Sequence, residues 1–152
     1  MGHEAIIYGR IVGATWHVGE GFRRMYDLNR DALAAVPEED DHPWVVRGIF
    51  ALPAPYPRGI YRRQIIHFGL SMKDFPYEQD RWDVWLGKFE RVLRELYWWS
   101  ARAHIDTDFA PPQVFDWKPT DDAMCGLLDD PPRPVSEWVR TVRDDGPHPA
   151  GP

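Results

Sequence analysis

The stretch Trp82–Phe109, WDVWLGKFERVLRELYWWSARAHIDTDF, decides the fold because its hydrophobic period changes partway along. Up to Tyr97, apolar residues recur every three or four positions, which predicts an amphipathic helix. From Trp99 onward, apolar and polar residues alternate, which predicts a strand with one buried face. A helix that runs directly into such a strand indicates that it covers one face of a sheet while the opposite face stays open.

The rest of the chain supplies the remaining elements of an α+β domain. Hydrophobic periodicity and Pro or Gly breaks predict strands at Glu4–Val12, Trp44–Leu52, Ile60–Lys73 and Val114–Trp117, and helices at Glu20–Val36, Tyr77–Tyr97 and, briefly, Val135–Val142. The first six elements follow the ferredoxin-like β-α-β-β-α-β order.

This order predicts a single domain over residues 1–143 with a mostly antiparallel sheet of four to five strands. Strands one and three should lie in its middle, and two helices should cover one face. An extra C-terminal strand and a short helix complete the domain. Residues 144–152 are polar and rich in Pro and Gly, which favours a disordered tail.

Composition narrows the range of partners that this protein could bind. The 152-residue chain has a formal net charge of −6 and eight Trp. An acidic protein is a poor binder of nucleic acid or of anionic membranes, since both need neutralising cations. The only cysteine is Cys125, and the N-terminus lacks a secretory pattern, so we expect a cytoplasmic protein.

Polar residues on the Trp99–Phe109 strand form one candidate site. His104, Asp106 and Asp108 alternate, so all three should point outward from one sheet face, beside Arg102. An imidazole with two carboxylates can bind a metal or transfer protons, and His67 could join them. The competing interpretation is a solvated sheet face, and we expect neither a bound metal nor another cofactor.

A second candidate is a run of four carboxylates, Glu38, Glu39, Asp40 and Asp41, in the loop after the first helix. Such runs are commonly solvated, but they can also cover a basic groove on a partner. The adjacent Trp98 and Trp99 should face opposite ways on a strand, which predicts that Trp98 is exposed as a binding residue.

Three segments, EAIIYGRIVG, YRRQIIHFGLSMKDF and WDVWLGKFERVLRELYWWSARAHIDTD, resemble the small α+β immunity proteins of bacterial polymorphic toxin systems. The resemblance covers residues 4–117. It implies a cytoplasmic protein that binds and neutralises a cognate toxin, of nuclease type, by occluding its active site. It carries over no catalytic residue, and only suggests that acids and exposed aromatics form the contact surface.

Two other functions stay open at this point. One is an enzyme or small-molecule binder that uses His67, His104, Asp106 and Asp108. The other is a homodimer that covers the open sheet face with a second copy.

Overall fold

The computed structural model describes residues 3–14, 20–53, 63–75 and 82–144. Within these residues the chain forms six strands, three α-helices and one short 3-10 helix. The elements are β1 (Glu4–Gly13), α1 (Glu20–Ala34), the 3-10 helix (Arg47–Ile49), β2 (Phe50–Ala51), β3 (Gln64–Lys73), α2 (Trp82–Leu93), β4 (Trp98–Thr107), β5 (Gln113–Pro119), α3 (Asp121–Leu127) and β6 (Trp138–Asp144).

The six strands form one open sheet in the order β2-β3-β1-β4-β5-β6, and every neighbouring pair is antiparallel. The predicted α+β class and the mostly antiparallel sheet are confirmed. β1 lies between β3 and β4, and β5 is the hairpin partner of β4.

One face of the sheet packs against α1 and α2. On that face β1 contributes Ala5, Ile7 and Ile11, all fully buried. From α2, the buried side chains are Trp82, Trp85, Leu86, Phe89 and Leu93, and from α1 they include Met25 and Leu33. The opposite face, here called the open face, exposes 46% of Ile6 and 48% of Tyr8. Alternation along β1 therefore separates a core side from a solvent side.

Gly9 allows the two central strands to approach each other on the core side. A Cβ atom at this position would overlap the carbonyl oxygen of Arg102 on β4 and would lie 2.6 Å from Cζ of Phe68 on β3. Gly69 differs, because its Cβ would meet nothing closer than 3.9 Å. Only the first of these two glycines is therefore required by packing.

The prediction of a strand over Trp44–Leu52 is wrong for most of its length. Only Phe50 and Ala51 pair with β3. Upstream, the N–H of Val45 donates to the Asp40 carboxylate, and the N–H of Arg47 donates to the Pro37 carbonyl. Because these two backbone N–H groups donate within the loop, they cannot also donate to a neighbouring strand.

The predicted orientation of the Trp pair on β4 is also wrong. Trp98 is fully buried and its indole N–H donates to the carbonyl of Leu93, whereas Trp99 is half-buried. The register between β1 and β4 shifts at Gly13, so that Val12 pairs with Ser100 but Gly13 pairs with Trp98. This bulge resets the alternation and turns Trp98 into the core.

The C-terminal region differs from the prediction in two ways. The predicted short helix over Val135–Val142 is instead the strand β6, which pairs with β5 along its whole length. The i, i+3, i+4, i+7 spacing of its apolar residues imitated a helix, but β-branched residues and the free edge of β5 favour a strand. In addition, α3 was missed, although Thr120 caps it by accepting a hydrogen bond from Ala123 N–H.

The remaining boundaries move by a few residues. α1 ends at Ala34, α2 ends at Leu93, and β4 ends at Thr107. Residues 60–62 of the predicted third strand, residues 77–81 of the predicted second helix, and residues 145–152 of the predicted tail lie outside the described residues. Asp144 itself is the last residue of β6.

Gly9 gives a direct test of the close strand approach. We expect Gly9→Ala to lower the free energy of unfolding by about 1–3 kcal/mol or more, because a backbone oxygen must move to admit the methyl group. Gly69→Ala is the matched control and should change stability by less than about 1 kcal/mol. Urea unfolding followed by Trp fluorescence measures both, and equal effects would contradict the packing argument.

Candidate protein-interaction site

The acidic loop, residues 38–41, lies on the helix side of the sheet. Lys88 of α2 contacts this loop. Its Nζ is 2.9 Å from Asp40 Oδ2 and donates at 2.7 Å to the carbonyl of Asp41. The same Asp40 oxygen accepts the N–H of Val45 at 3.1 Å. Asp40 is therefore a structural residue that ties the loop to α2.

Arg47 holds the other end of the acidic loop. Its Nη1 is 3.0 Å from Glu38 Oε1, its Nε donates to the carbonyl of Val36, and its backbone N–H donates to the carbonyl of Pro37. Two of the four carboxylates are thus used within the molecule. The other two, on Glu39 and Asp41, are exposed and make no hydrogen bond or ion pair within the described part of the chain.

Partial burial of the Asp40 carboxyl raises its pKa, but the hydrogen bond from Lys88, the N–H of Val45 and the Lys88 charge outweigh that effect. The pKa of Asp40 is consequently held below its ordinary value of 3.8. The carboxylate stays ionised throughout the neutral range, and the loop is fixed in one arrangement before any partner arrives. Such preorganisation reduces the entropy cost of binding.

A cleft of about 240 Å³ opens between the acidic loop, the end of α1 and α2. Its apolar wall includes Val36, Val45 and Val92, and its charged groups are Asp40, Lys88, Arg91 and Glu95. An aliphatic stem could lie along the valines while its cationic head reaches Glu95. Long basic side chains have this division between an apolar stem and a charged head.

The predicted residues on β4 lie on the other side of the sheet. Arg102 Nε donates to Asp116 Oδ1 of β5 at 2.7 Å. His104 stacks on Tyr8 with ring centroids 4.7 Å apart and planes 1° from parallel. Asp106 is exposed. These residues share the open face, on the opposite side of the sheet from the acidic loop.

The two histidines and two aspartates of the enzyme hypothesis are not brought together. His67 on β3 and His104 on β4 lie on opposite sides of β1, where they pair with Arg10 and Tyr8 respectively. Asp108 follows the end of β4, with its Oδ1 3.2 Å from Nδ1 of His3. Across the described ranges, no group of three or more His, Cys, Asp or Glu side chains could hold a metal ion.

Sequence reasoning missed the charge of the open face. Among the described residues this face carries five basic side chains and three carboxylates, although the whole chain is acidic. The basic residues are Arg10, Lys73, Arg102, Lys118 and Arg143, and the acids are Glu4, Asp106 and Asp116. Arg10 stands directly opposite Arg102. The acidity of the chain is therefore concentrated away from this face, where strand alternation alone could not place it.

Two other tryptophans, Trp117 and Trp44, bear on whether exposed aromatics adjoin the acidic loop. Trp117 is 1% exposed and its indole N–H donates to Glu90 at 2.8 Å, so it belongs to the core. Trp44 is half-buried, and its carbonyl accepts the indole N–H of Trp85. Among the tryptophans that the structure describes, none that is fully exposed lies next to the acidic loop.

Comparisons of the chain with protein-family models, with curated proteins and with solved structures give no match. Among the described residues, none of the helices is both long enough and apolar enough to cross a membrane.

Asp40 gives a pH-dependent test of the loop. A depressed pKa in the folded state means that the ionised carboxylate stabilises the fold above the ordinary pKa, and that this contribution is lost as the pH falls below about 3.8. We expect Asp40→Asn to be less stable than the wild type at neutral pH and to lose stability less steeply below about pH 4. Asp41→Asn should follow the wild-type profile, and denaturant titrations across that range measure the difference.

Proposed function

We propose that this protein is a cytoplasmic immunity protein that binds a cognate bacterial toxin, of nuclease type, and neutralises it by occluding the active site. The observation that carries the proposal is the acidic loop, which is fixed at Asp40 and Glu38 and presents the carboxylates of Glu39 and Asp41, neither of which has a partner among the described residues. The resemblance of residues 4–117 to immunity proteins supplies the class of partner.

The sign of the charge supports this partner. A nuclease holds phosphates with a basic cleft, so a rigid set of carboxylates can occupy the same cleft. Opposite charges also accelerate the encounter of the two proteins. Because the acidic loop is preorganised, less entropy is lost on docking. The cleft beside the loop could receive an arginine or lysine of the toxin, with Glu95 as its acceptor.

The surface to which the proposal assigns toxin binding is narrower than the one expected from the sequence. It includes Glu38, Glu39, Asp40 and Asp41 and the adjoining ends of α1 and α2. Trp98 is excluded because it is buried. Arg102, His104 and Asp106 are excluded because they lie on the open face, across the sheet from the loop. Asp108 follows the end of β4 beside His3 and is not assigned to this surface.

We also propose that residues 4–107 form a ferredoxin-like unit to which β5, α3 and β6 are added. In its support, the strands of this part follow the order β2-β3-β1-β4 with every neighbour antiparallel, so that β1 and β3 are its inner strands. The helices α1 and α2 each occur between two strands of this part in the chain.

The test is co-purification with the toxin domain encoded beside the gene. We expect a stable complex at nanomolar concentration and loss of DNA cleavage by the toxin, competitive with its DNA substrate. The variant Glu39→Lys/Asp41→Lys should slow association by about tenfold or more at low salt, with a smaller effect at high salt. It should fold normally, because neither carboxylate has a partner in the described structure.

The matched control is Asp106→Lys/Glu137→Lys, which makes the same change in net charge at two exposed carboxylates away from the loop. It should affect association much less. Equal slowing by both variants would show that overall charge, and not the acidic loop, determines binding. If the wild-type protein and the toxin remain separate at nanomolar concentration, the proposed function is wrong.

A further inference from the structure

β6 is a long and exposed edge strand. Within the described structure it pairs only with β5, and every residue from Val139 to Asp144 is exposed. Val139 is 58% exposed and Val142 is 57% exposed. By contrast, the opposite edge of the sheet is the two-residue strand β2. Long edge strands with exposed apolar residues are templates for pairing with another strand.

The faces of β6 are fixed by its register with β5. Trp138, Arg140, Val142 and Asp144 pair with residues that include the buried Phe115 and Trp117, so they lie on the helix side. Val139, Thr141 and Arg143 lie on the open face. Suppose that a second copy pairs antiparallel about a two-fold axis perpendicular to the sheet. Residues directly opposite each other must then share a face, so the axis passes midway between the two copies of one residue, on which the register is centred.

Charge then distinguishes the registers centred on residues 140 to 143. With the axis at Arg140 or Arg143, two arginines oppose each other, which is unfavourable. With the axis at Thr141, each Arg143 opposes a valine and each Asp144 opposes a tryptophan. With the axis at Val142, each Arg140, which also forms ion pairs with Asp83 and Glu90 of its own copy, opposes the Asp144 of the other copy. In the same register each Arg143 opposes a threonine, and the two copies of Val142 meet.

We propose that β6 pairs antiparallel with β6 of a second copy of this chain, in the register centred on Val142, to form a continuous twelve-stranded sheet across a homodimer. The short sequence Arg140-Thr-Val-Arg-Asp144 is self-complementary in that register. The groove between α2 and β6 opens at the same edge. Its lining is mainly polar and includes Asp83, Arg140 and Asp144, with Val142 among its apolar residues, so the second copy covers a largely charged groove. Strand pairing of this length forms a small interface, so the dimer is weak and concentration-dependent.

Cysteine cross-linking tests the register. In a Cys125→Ser background, Val142→Cys should form an intermolecular disulfide under mild oxidation, because opposite Cβ atoms on paired strands are about 5 Å apart. Val139→Cys should not, since its two copies lie about 20 Å apart in this register. Thr141→Cys distinguishes the alternative: a stronger cross-link at this position than at Val142 would overturn the register. Non-reducing gels and mass spectrometry give the yield.

Charge reversal tests the dimer without a cross-link. Asp144→Arg places an arginine opposite each Arg140 and should weaken association by about tenfold, as measured by analytical ultracentrifugation. Asp106→Arg makes the same charge change at an exposed position on β4 and should leave association unchanged. A wild-type protein that stays monomeric up to roughly 200 µM overturns the proposal, as does equal weakening by both variants. If Asp144→Arg weakens toxin binding in a monomeric protein, β6 pairs with the toxin instead.

Discussion

Phe89 of α2 makes the packing contacts on which the rest of the structure depends. Its ring centroid lies 4.8 Å from that of Phe68 on β3, 5.0 Å from Trp117 on β5 and 5.4 Å from Trp85 on its own helix, with Phe50 of β2 slightly farther away. Each such pair contributes about 0.5–1.5 kcal/mol beyond the area it buries. One side chain thus fixes α2 across three strands and makes one face of the sheet the core.

The position of α2 also determines the geometry of the acidic loop. Lys88 precedes Phe89 in the chain, and it is Lys88 that holds Asp40 and the carbonyl of Asp41. The loop is therefore attached to the same helical turn that is fixed by the aromatic core. This connection explains how a surface loop with several like charges keeps one arrangement: repulsion among its carboxylates is offset by Lys88 at one end and Arg47 at the other.

The local sequence pattern correctly predicted those features of the fold that depend only on neighbouring residues. The helical spacing of α2 and the alternation through Ala101, Ala103 and Ile105 correctly identified the core side of the sheet. The pattern failed where a distant partner decides the outcome. Trp98 turns inward because β1 shifts register at Gly13, and β6 is a strand because β5 offers it an edge. For the candidate site, the pattern located the four carboxylates, but their division into anchored and free groups depends on Lys88, which is distant in sequence, and on the turn that brings Arg47 back to Glu38.

The uneven distribution of charge links the two proposals. Basic residues outnumber acids on the open face, whereas the acidic loop, on which the proposed toxin binding depends, lies on the helix side. A two-fold axis perpendicular to the sheet leaves both helix layers on the same side of the joined sheet. Pairing through β6 would therefore place both acidic loops on the same side of the joined sheet and cover neither of them. Each copy could then still bind a toxin as proposed. By contrast, a dimer formed by stacking two open faces would oppose Arg10 and Arg102 of each copy and bring like charges together. The edge strand is consequently the more favourable surface for self-association.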